Sequence, residues 1–216
     1  MDILGKLFGS EQKVKIMRLF LFNPETPFNA EIISDRIRID LFSIRDELAT
    51  LRQMKLIKPK SFTSRVVVRK KGKQKIVRKR MSGFVLNASF PYMEELQRLL
   101  LDTSLLKGDE IVHKLSPAGR LKLVIIAGLF IQDAESRLDI LVVGDHLKRA
   151  TVDHKIKTME AEIGKELRYA AFETHEFNYR LGLYDKLIRD VLDYPHLIVL
   201  DRLGIPPIQA GRRPAL

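Results

Sequence analysis

The run Asp40-Leu-Phe-Ser-Ile44-Arg-Asp-Glu-Leu48-Ala-Thr-Leu51-Arg-Gln-Met54-Lys-Leu-Ile57 decides how the first half of the chain folds. Ile44, Leu48 and Leu51 recur at spacings of four and three, which marks one buried helical face. Asp40 stands just ahead of the run as an N-cap, so a helix is expected from there to about Met54. Its opposite side offers Ser43, Arg45, Asp46, Ala49 and Arg52 to solvent.

Working outward, Ser10-Glu11 opens an expected helix over residues 10–23, with Val14, Ile16, Met17, Leu19, Phe20 and Leu21 as its apolar residues and Asn23-Pro24 as its stop. A shorter helix is expected over Ala30–Ile37, followed by the break Arg38-Ile39-Asp40. Beyond Ile57 the pattern changes. Arg65-Val-Val-Val-Arg69, Ile76-Val77 and Phe84-Val-Leu86 are β-branched and alternating, as for two strands around a turn at Lys71-Gly72-Lys73. Between Lys58 and Arg80 the chain carries eleven Lys or Arg residues and no Asp or Glu. A hairpin bearing only positive charge repels itself unless phosphates lie against it.

The charge of the whole chain is equally lopsided. Its 216 residues include 38 Lys plus Arg against 27 Asp plus Glu, a formal net charge of +11. Residues 1–90 hold 20 basic and 8 acidic side chains, and residues 91–216 hold 18 and 19, so all the excess lies in the first half. That asymmetry suggests a polyanion-binding module joined to a neutral one; a solvated basic face without a partner is the plainer reading. With 45% hydrophobic and 30% charged residues the composition is globular. The absence of cysteine excludes disulfides, thiolate metal sites and thiol nucleophiles. No membrane-spanning run or secretory leader is visible, so a cytoplasmic protein without a membrane partner is expected.

The order helix, short helix, break, helix, basic hairpin resembles a winged helix-turn-helix domain. The resemblance is carried by Glu31-Ile-Ile-Ser-Asp-Arg-Ile37, Ile39-Asp40, Ile44-Arg-Asp-Glu-Leu48 and Leu51-Arg-Gln-Met-Lys-Leu-Ile57, and it covers residues 10–88. Met54-Lys55 departs from the small residue and glycine that close this helix in many relatives. The resemblance implies that the third helix enters the major groove of double-stranded DNA while the wing follows the backbone. Base readout then falls to Arg45 and Arg52, with Ser43 and Asp46 as lesser candidates. Phosphate contacts fall to Arg65, Arg69, Lys70, Lys71, Lys73, Lys75, Arg78, Lys79 and Arg80.

In the second half, a connecting helix from Phe90 to about Leu101 within residues 89–104 shows the stripe Met93, Leu96, Leu99 and Leu100, suited to bridging domains or to a dimer seam. Strands are expected at Leu121–Ala127, Leu138–Val143, Leu167–Phe172 and Pro195–Leu200, with helices at Lys148–Gly164 and His175–Tyr194 and a mobile tail over 205–216. Gly128-Leu129-Phe130 followed by Ser136-Arg-Leu-Asp139-Ile-Leu-Val-Val-Gly-Asp145 resembles a minimal nucleotidyltransferase domain. That family holds the triphosphate with Gly-Ser and two Mg²⁺ ions with three carboxylates. Here Leu129 replaces the serine, Arg137 stands at the first carboxylate position, and Leu167–Phe172 has no acid in its core. Gly128 and Asp139 are the remnant, which implies a catalytically degenerate domain with no metal and no cofactor. Gly144 is expected to end the second strand and Asp145 to cap the turn into the next helix. The five histidines show no ligand spacing, and Walker A, GxGxxG and GxSxG patterns are absent.

The expected fold is α+β: a winged helix-turn-helix at 10–88 and, at 105–204, an α/β nucleotidyltransferase-like domain with a small mixed sheet. The expected function is DNA-binding transcriptional regulation, with a homodimer and a protein or small-molecule effector at the second domain as further expected partners. Two alternatives stand beside it: an active nucleotidyltransferase acting on tRNA or another nucleic acid, and a protein-interaction adaptor that binds no nucleic acid.

Overall fold

The computed structural model describes residues 3–70, 73–101, 106–133 and 135–205, and the fold is α+β. The chain forms two compact units, Met1–Asp102 with Glu160–Lys165, and Thr103–Met159 with Glu166–Leu216. The expected turn residues Lys71 and Gly72 and the expected tail beyond residue 205 lie outside the described residues. Among the described residues no helix is long and apolar enough to cross a membrane.

The first unit is built from α1 (Ile3–Phe8), α2 (Glu11–Phe22), α3 (Ala30–Ile37), α4 (Leu41–Gln53), the antiparallel ribbon β1 (Ile57–Lys70) and β2 (Lys73–Leu86), and α5 (Met93–Leu101). Side-chain caps start three of the helices: Ser10 accepts from the amide of Lys13, Asn29 from that of Ile32, and Asp40 from that of Ser43. α2 is buried on most of its circumference through Val14, Ile16, Met17, Leu19, Phe20 and Leu21. Ile33 and Ile37 of α3 and Ile44, Leu48 and Leu51 of α4 close on it. Buried Arg18 donates from Nε to the Leu100 carbonyl at 3.2 Å and from Nη1 to that of Glu162 at 3.4 Å.

Helix α4 ends without glycine. The amide of Leu56 bonds back to the Leu51 carbonyl (3.1 Å) and that of Lys55 to the Arg52 carbonyl (3.0 Å), a Schellman ending in which Lys55 takes the left-handed position at φ 62°. Arg38 does the same after α3 at φ 55°, with Ile39 bonded to Ser34. The departure at Met54-Lys55 therefore leaves the helix stop in place and loads its strain onto a lysine.

The ribbon is longer than the sequence suggests, with fourteen residues in each strand. At its base Phe28 bridges to Phe84 by reciprocal bonds of 2.9 and 2.7 Å. Gly83 permits that approach, because a Cβ there would lie 2.3 Å from the Phe28 carbonyl oxygen. The stripe on α5 is largely used at home: Leu100 is buried, and Met93 and Leu96 pack against the core of this same unit. Leu99 alone of the four is exposed, at 43%, so the stripe leaves little apolar surface for a bridge or dimer seam.

The second unit holds α6 (Gly108–Leu115), β3 (Arg120–Ile126), β4 (Ile140–Asp145), most of α7 (Arg149–Ile163), β5 (Tyr169–Glu173), α8 (Thr174–Gly182), α9 (Lys186–Asp193) and β6 (Leu197–Asp201). Its four-stranded sheet has the order β5-β4-β3-β6, with β4 and β5 parallel and the other pairs antiparallel. Leu123, Ile125, Leu141 and Val143 pack with Phe172, Phe177, Ile188, Val191 and Leu192 into one core. The single helix expected over His175–Tyr194 is two. Tyr184 adopts φ 54° and Asp185 bonds back to the Arg180 carbonyl at 3.0 Å, which stops α8. The Asp185 carboxylate then caps α9 through the amides of Leu187 and Ile188. Phe177, Leu181, Tyr184, Ile188 and Val191 keep helical spacing across that break, so periodicity alone conceals it.

Two substitutions at the base of the ribbon should move stability in opposite directions. Gly83→Ala forces a methyl into the Phe28 backbone and should cost about 1–3 kcal/mol. Lys55→Gly relieves the left-handed lysine and should gain about 0.5–1 kcal/mol. Urea unfolding of both variants beside the parent chain checks the pair of signs.

Candidate nucleic-acid interface

The candidate surface begins at the capped start of α4. Asp40 accepts the Ser43 amide at 2.9 Å on one oxygen and the Ser43 hydroxyl at 2.6 Å on the other. The Ser43 hydroxyl, ahead of the amide, holds the Asp40 carboxyl below the ordinary carboxylate range. Ser43, expected as a lesser base reader, therefore has its only side-chain donor taken up by the cap. Arg45, Asp46, Ala49 and Arg52 are all exposed, opposite buried Ile44, Leu48 and Leu51. The two arginines are seven residues apart, which brings both guanidinium stems to one side of the helix. Sequence reasoning passed over Phe42, the second residue of the helix and 77% exposed. The signal was its place off the Ile44–Leu48–Leu51 stripe.

The ribbon carries the remaining candidates. Arg78, Lys79 and Arg80 are exposed on β2, as are Lys58 and Lys60 on β1. The register sets Arg65 opposite Arg78 and Lys70 opposite Lys73, cation against cation, and places Arg69 opposite Gln74 and Lys75 opposite Val68. Like charges directly opposed destabilise a strand pair. Position parity sorts the cations further. Ribbon positions 65, 69, 78 and 80 share one side and are all arginine, while positions 58, 60, 70, 73, 75 and 79 share the other and are all lysine. Arginine suits forked, planar recognition and lysine acts as a compact point charge.

The carboxylate remnant of the second unit has a different geometry from the one the resemblance implies. Asp139 is 2% exposed and sits one residue ahead of β4. Its Oδ1 accepts the Leu129 amide at 2.8 Å and Arg168 Nη2 at 3.0 Å. Its Oδ2 accepts the Arg168 amide at 2.8 Å and Arg168 Nε at 3.2 Å. Arg168 Nη1 also donates to the Ser136 carbonyl. The bond to Asp139 is the first cause that raises the already high pKa of Arg168. Gly128 has φ 50° and a Cβ there would lie 2.2 Å from Asp139 Oδ1, so the glycine makes room for the carboxylate itself.

Neither of the other positions supplies a ligand. Arg137 Nε pairs with Asp190 at 3.0 Å. Asp145 remains inside β4 and accepts the Thr174 hydroxyl at 2.6 Å with Lys122 Nζ at 3.6 Å; the Thr174 bond leads the causes that lower its pKa. Asp145 does not cap the following turn as expected, because Glu173 does, accepting the amides of His146 and Leu147 at 3.0 and 2.7 Å. Among the described residues no three His, Asp or Glu side chains converge as a metal site. A divalent cation does not fit at Asp139, whose oxygens are already occupied by a guanidinium and two amides. Arg168 was missed in the sequence because its pairing depends on β4 and β5 running parallel, which local spacing does not reveal.

Removing this carboxylate should therefore lower stability. Asp139→Ala orphans the Leu129 and Arg168 amides and should destabilise the second unit by about 2–4 kcal/mol. Thermal melting checks this, and millimolar Mg²⁺ or Mn²⁺ should leave the melting temperature of the parent chain unchanged. In comparisons with known proteins, no family model, no curated protein and no solved structure matches this chain.

Proposed function

We propose that the chain is a DNA-binding regulator: a winged helix-turn-helix reads duplex DNA, and the second unit serves as a non-transferring partner or sensor module. The observation that carries this reading is the ribbon, whose register opposes Arg65 to Arg78 and Lys70 to Lys73 with no acid between residues 58 and 80. Such an arrangement is self-repelling in isolation and is relieved by a polyanion. The helix α4 supplies what a phosphate clamp alone lacks: a capped start and exposed Arg45 and Arg52 on one side, in dimensions that a major groove admits.

Affinity then comes chiefly from counterions released as lysines and arginines neutralise phosphates, and sequence choice from guanidinium contacts to guanine edges. The saturated Asp139 favours a second unit without transfer activity over an active nucleotidyltransferase, since one carboxylate held by Arg168 cannot neutralise two metal ions. The adaptor reading leaves the uncompensated ribbon without a reason.

Selection of bound duplexes from a randomised DNA library tests the reading directly, and an enriched sequence is expected. Replacing Lys70, Lys71, Lys73 and Lys75 with Ala should weaken binding to all duplexes alike and flatten the log K against log salt slope by about one unit per lost phosphate contact. Arg45→Ala or Arg52→Ala should cost about 1–3 kcal/mol on the enriched duplex and much less on random DNA. A wing variant with an unchanged salt slope refutes the phosphate clamp. Incubation with labelled nucleoside triphosphates and Mg²⁺ should leave protein and RNA unlabelled; labelling abolished by Asp139→Ala would restore the enzyme reading.

A further inference from the structure

Phe42 is 77% exposed at the second position of α4, while the core of its unit takes Ile44, Leu48 and Leu51 from the same helix. Helix placement accounts for the exposure: the ring lies off the buried stripe formed by Ile44, Leu48 and Leu51. Nothing in the folding of the unit calls for an aromatic there. Resting on the DNA-binding reading above, we propose that Phe42 is a specificity-determining residue that contacts the 5-methyl group of a thymine in the major groove.

Three observations favour this occupant. The exposed side of the same helix offers Arg45, Asp46, Ala49 and Arg52, whereas a stable protein partner needs a broad contiguous apolar surface. The ribbon of the same unit is complementary to DNA, with eleven Lys or Arg residues and no acid between residues 58 and 80. Its place at the start of the helix is where a groove-bound helix meets base edges, and the thymine methyl is the apolar feature displayed there. Arg45 lies one turn further on, about 5–6 Å away between Cβ atoms, and base pairs stack about 3.4 Å apart. Phe42 and Arg45 therefore address bases one or two steps apart: a thymine methyl beside a guanine edge.

The test uses the full chain and the duplex enriched from the randomised library, with each thymine replaced in turn by deoxyuridine, which removes only the methyl. At one position the substitution should weaken binding of the parent chain roughly fourfold, the worth of one contacted methyl group. That position should lie within two base pairs of a guanine whose replacement by inosine or adenine no longer matters to Arg45→Ala. Phe42→Ala should bind the unmodified duplex as weakly as the parent binds the deoxyuridine one and lose nothing further on it, while Phe42→Leu keeps part of the sensitivity. Circular dichroism should give Phe42→Ala the melting curve of the parent, as its exposure requires; if it does not, the parent and Phe42→Leu series still decide. The inference is overturned if no deoxyuridine position weakens the parent, if Phe42→Ala stays as sensitive as the parent, or if Phe42→Ala changes the sedimentation of the free protein, which assigns the ring to a contact between copies. An enriched duplex indifferent to every methyl removes this inference alone; failure to enrich any duplex removes the DNA-binding reading and this inference with it.

Discussion

Phe28 and Phe84 exchange two backbone hydrogen bonds at the foot of the ribbon, and the first unit is organised around that clasp. A two-stranded ribbon is marginal on its own in water, and one that opposes cation to cation is worse than marginal. The clasp turns its base into the start of a third strand pairing. The Phe28 ring meets Phe20 of α2 edge-on at 5.6 Å, and the Arg36 guanidinium of α3 lies 5.4 Å from its centre. One side chain thus ties the ribbon to two helices, and Ile57, Val85 and Leu86 bury the base around it. The repulsion is tolerated because the anchoring is concentrated at the base, away from the opposed pairs Arg65–Arg78 and Lys70–Lys73.

That division bears on how much of the fold could be read in advance. Caps and periodicity are local, and they place α2, α3 and α4 almost to the residue: Ser10 and Asp40 both accept amides where their positions imply. The ribbon is legible only where its residues alternate. Pro59, Ser61 and Ser64 give no strand signal, yet they pair through to Ile57, because pairing with β2 decides their conformation. The same limit conceals the stop at Tyr184 and the left-handed endings at Arg38 and Lys55, which tertiary packing imposes on residues that do not prefer them.

The candidate surface was legible in its charges and not in its apolar member. Eleven cations with no acid among them between residues 58 and 80 are visible in the sequence itself. Phe42 is not, since an aromatic inside an amphipathic helix reads as core until the face is drawn and the core residues are known. Ser43 illustrates the converse: a polar residue on the exposed side reads as available, while its hydroxyl is already bonded to Asp40. Availability is a property of the hydrogen-bond inventory around a group, and composition does not carry it.

The Gly128–Asp139 pattern of the second unit shows why spacing and chemistry must be argued separately. The turn at Gly128-Leu129 presents an amide, Asp139 accepts it, and the glycine is required because the carboxylate oxygen lies where a Cβ would sit. These relations fix the spacing of the two residues without reference to any substrate. A metal would demand that the carboxylate keep lone pairs free and that other acids face it. Here Arg168 supplies a permanent counter-charge from just ahead of the parallel strand β5, and Arg137 is drawn to Asp190 instead. A guanidinium satisfies one carboxylate in place, with fixed donors, so Asp139 gains rigidity and keeps no open coordination position. The aspartate thus fastens the turn at Leu129 to Arg168, just ahead of β5.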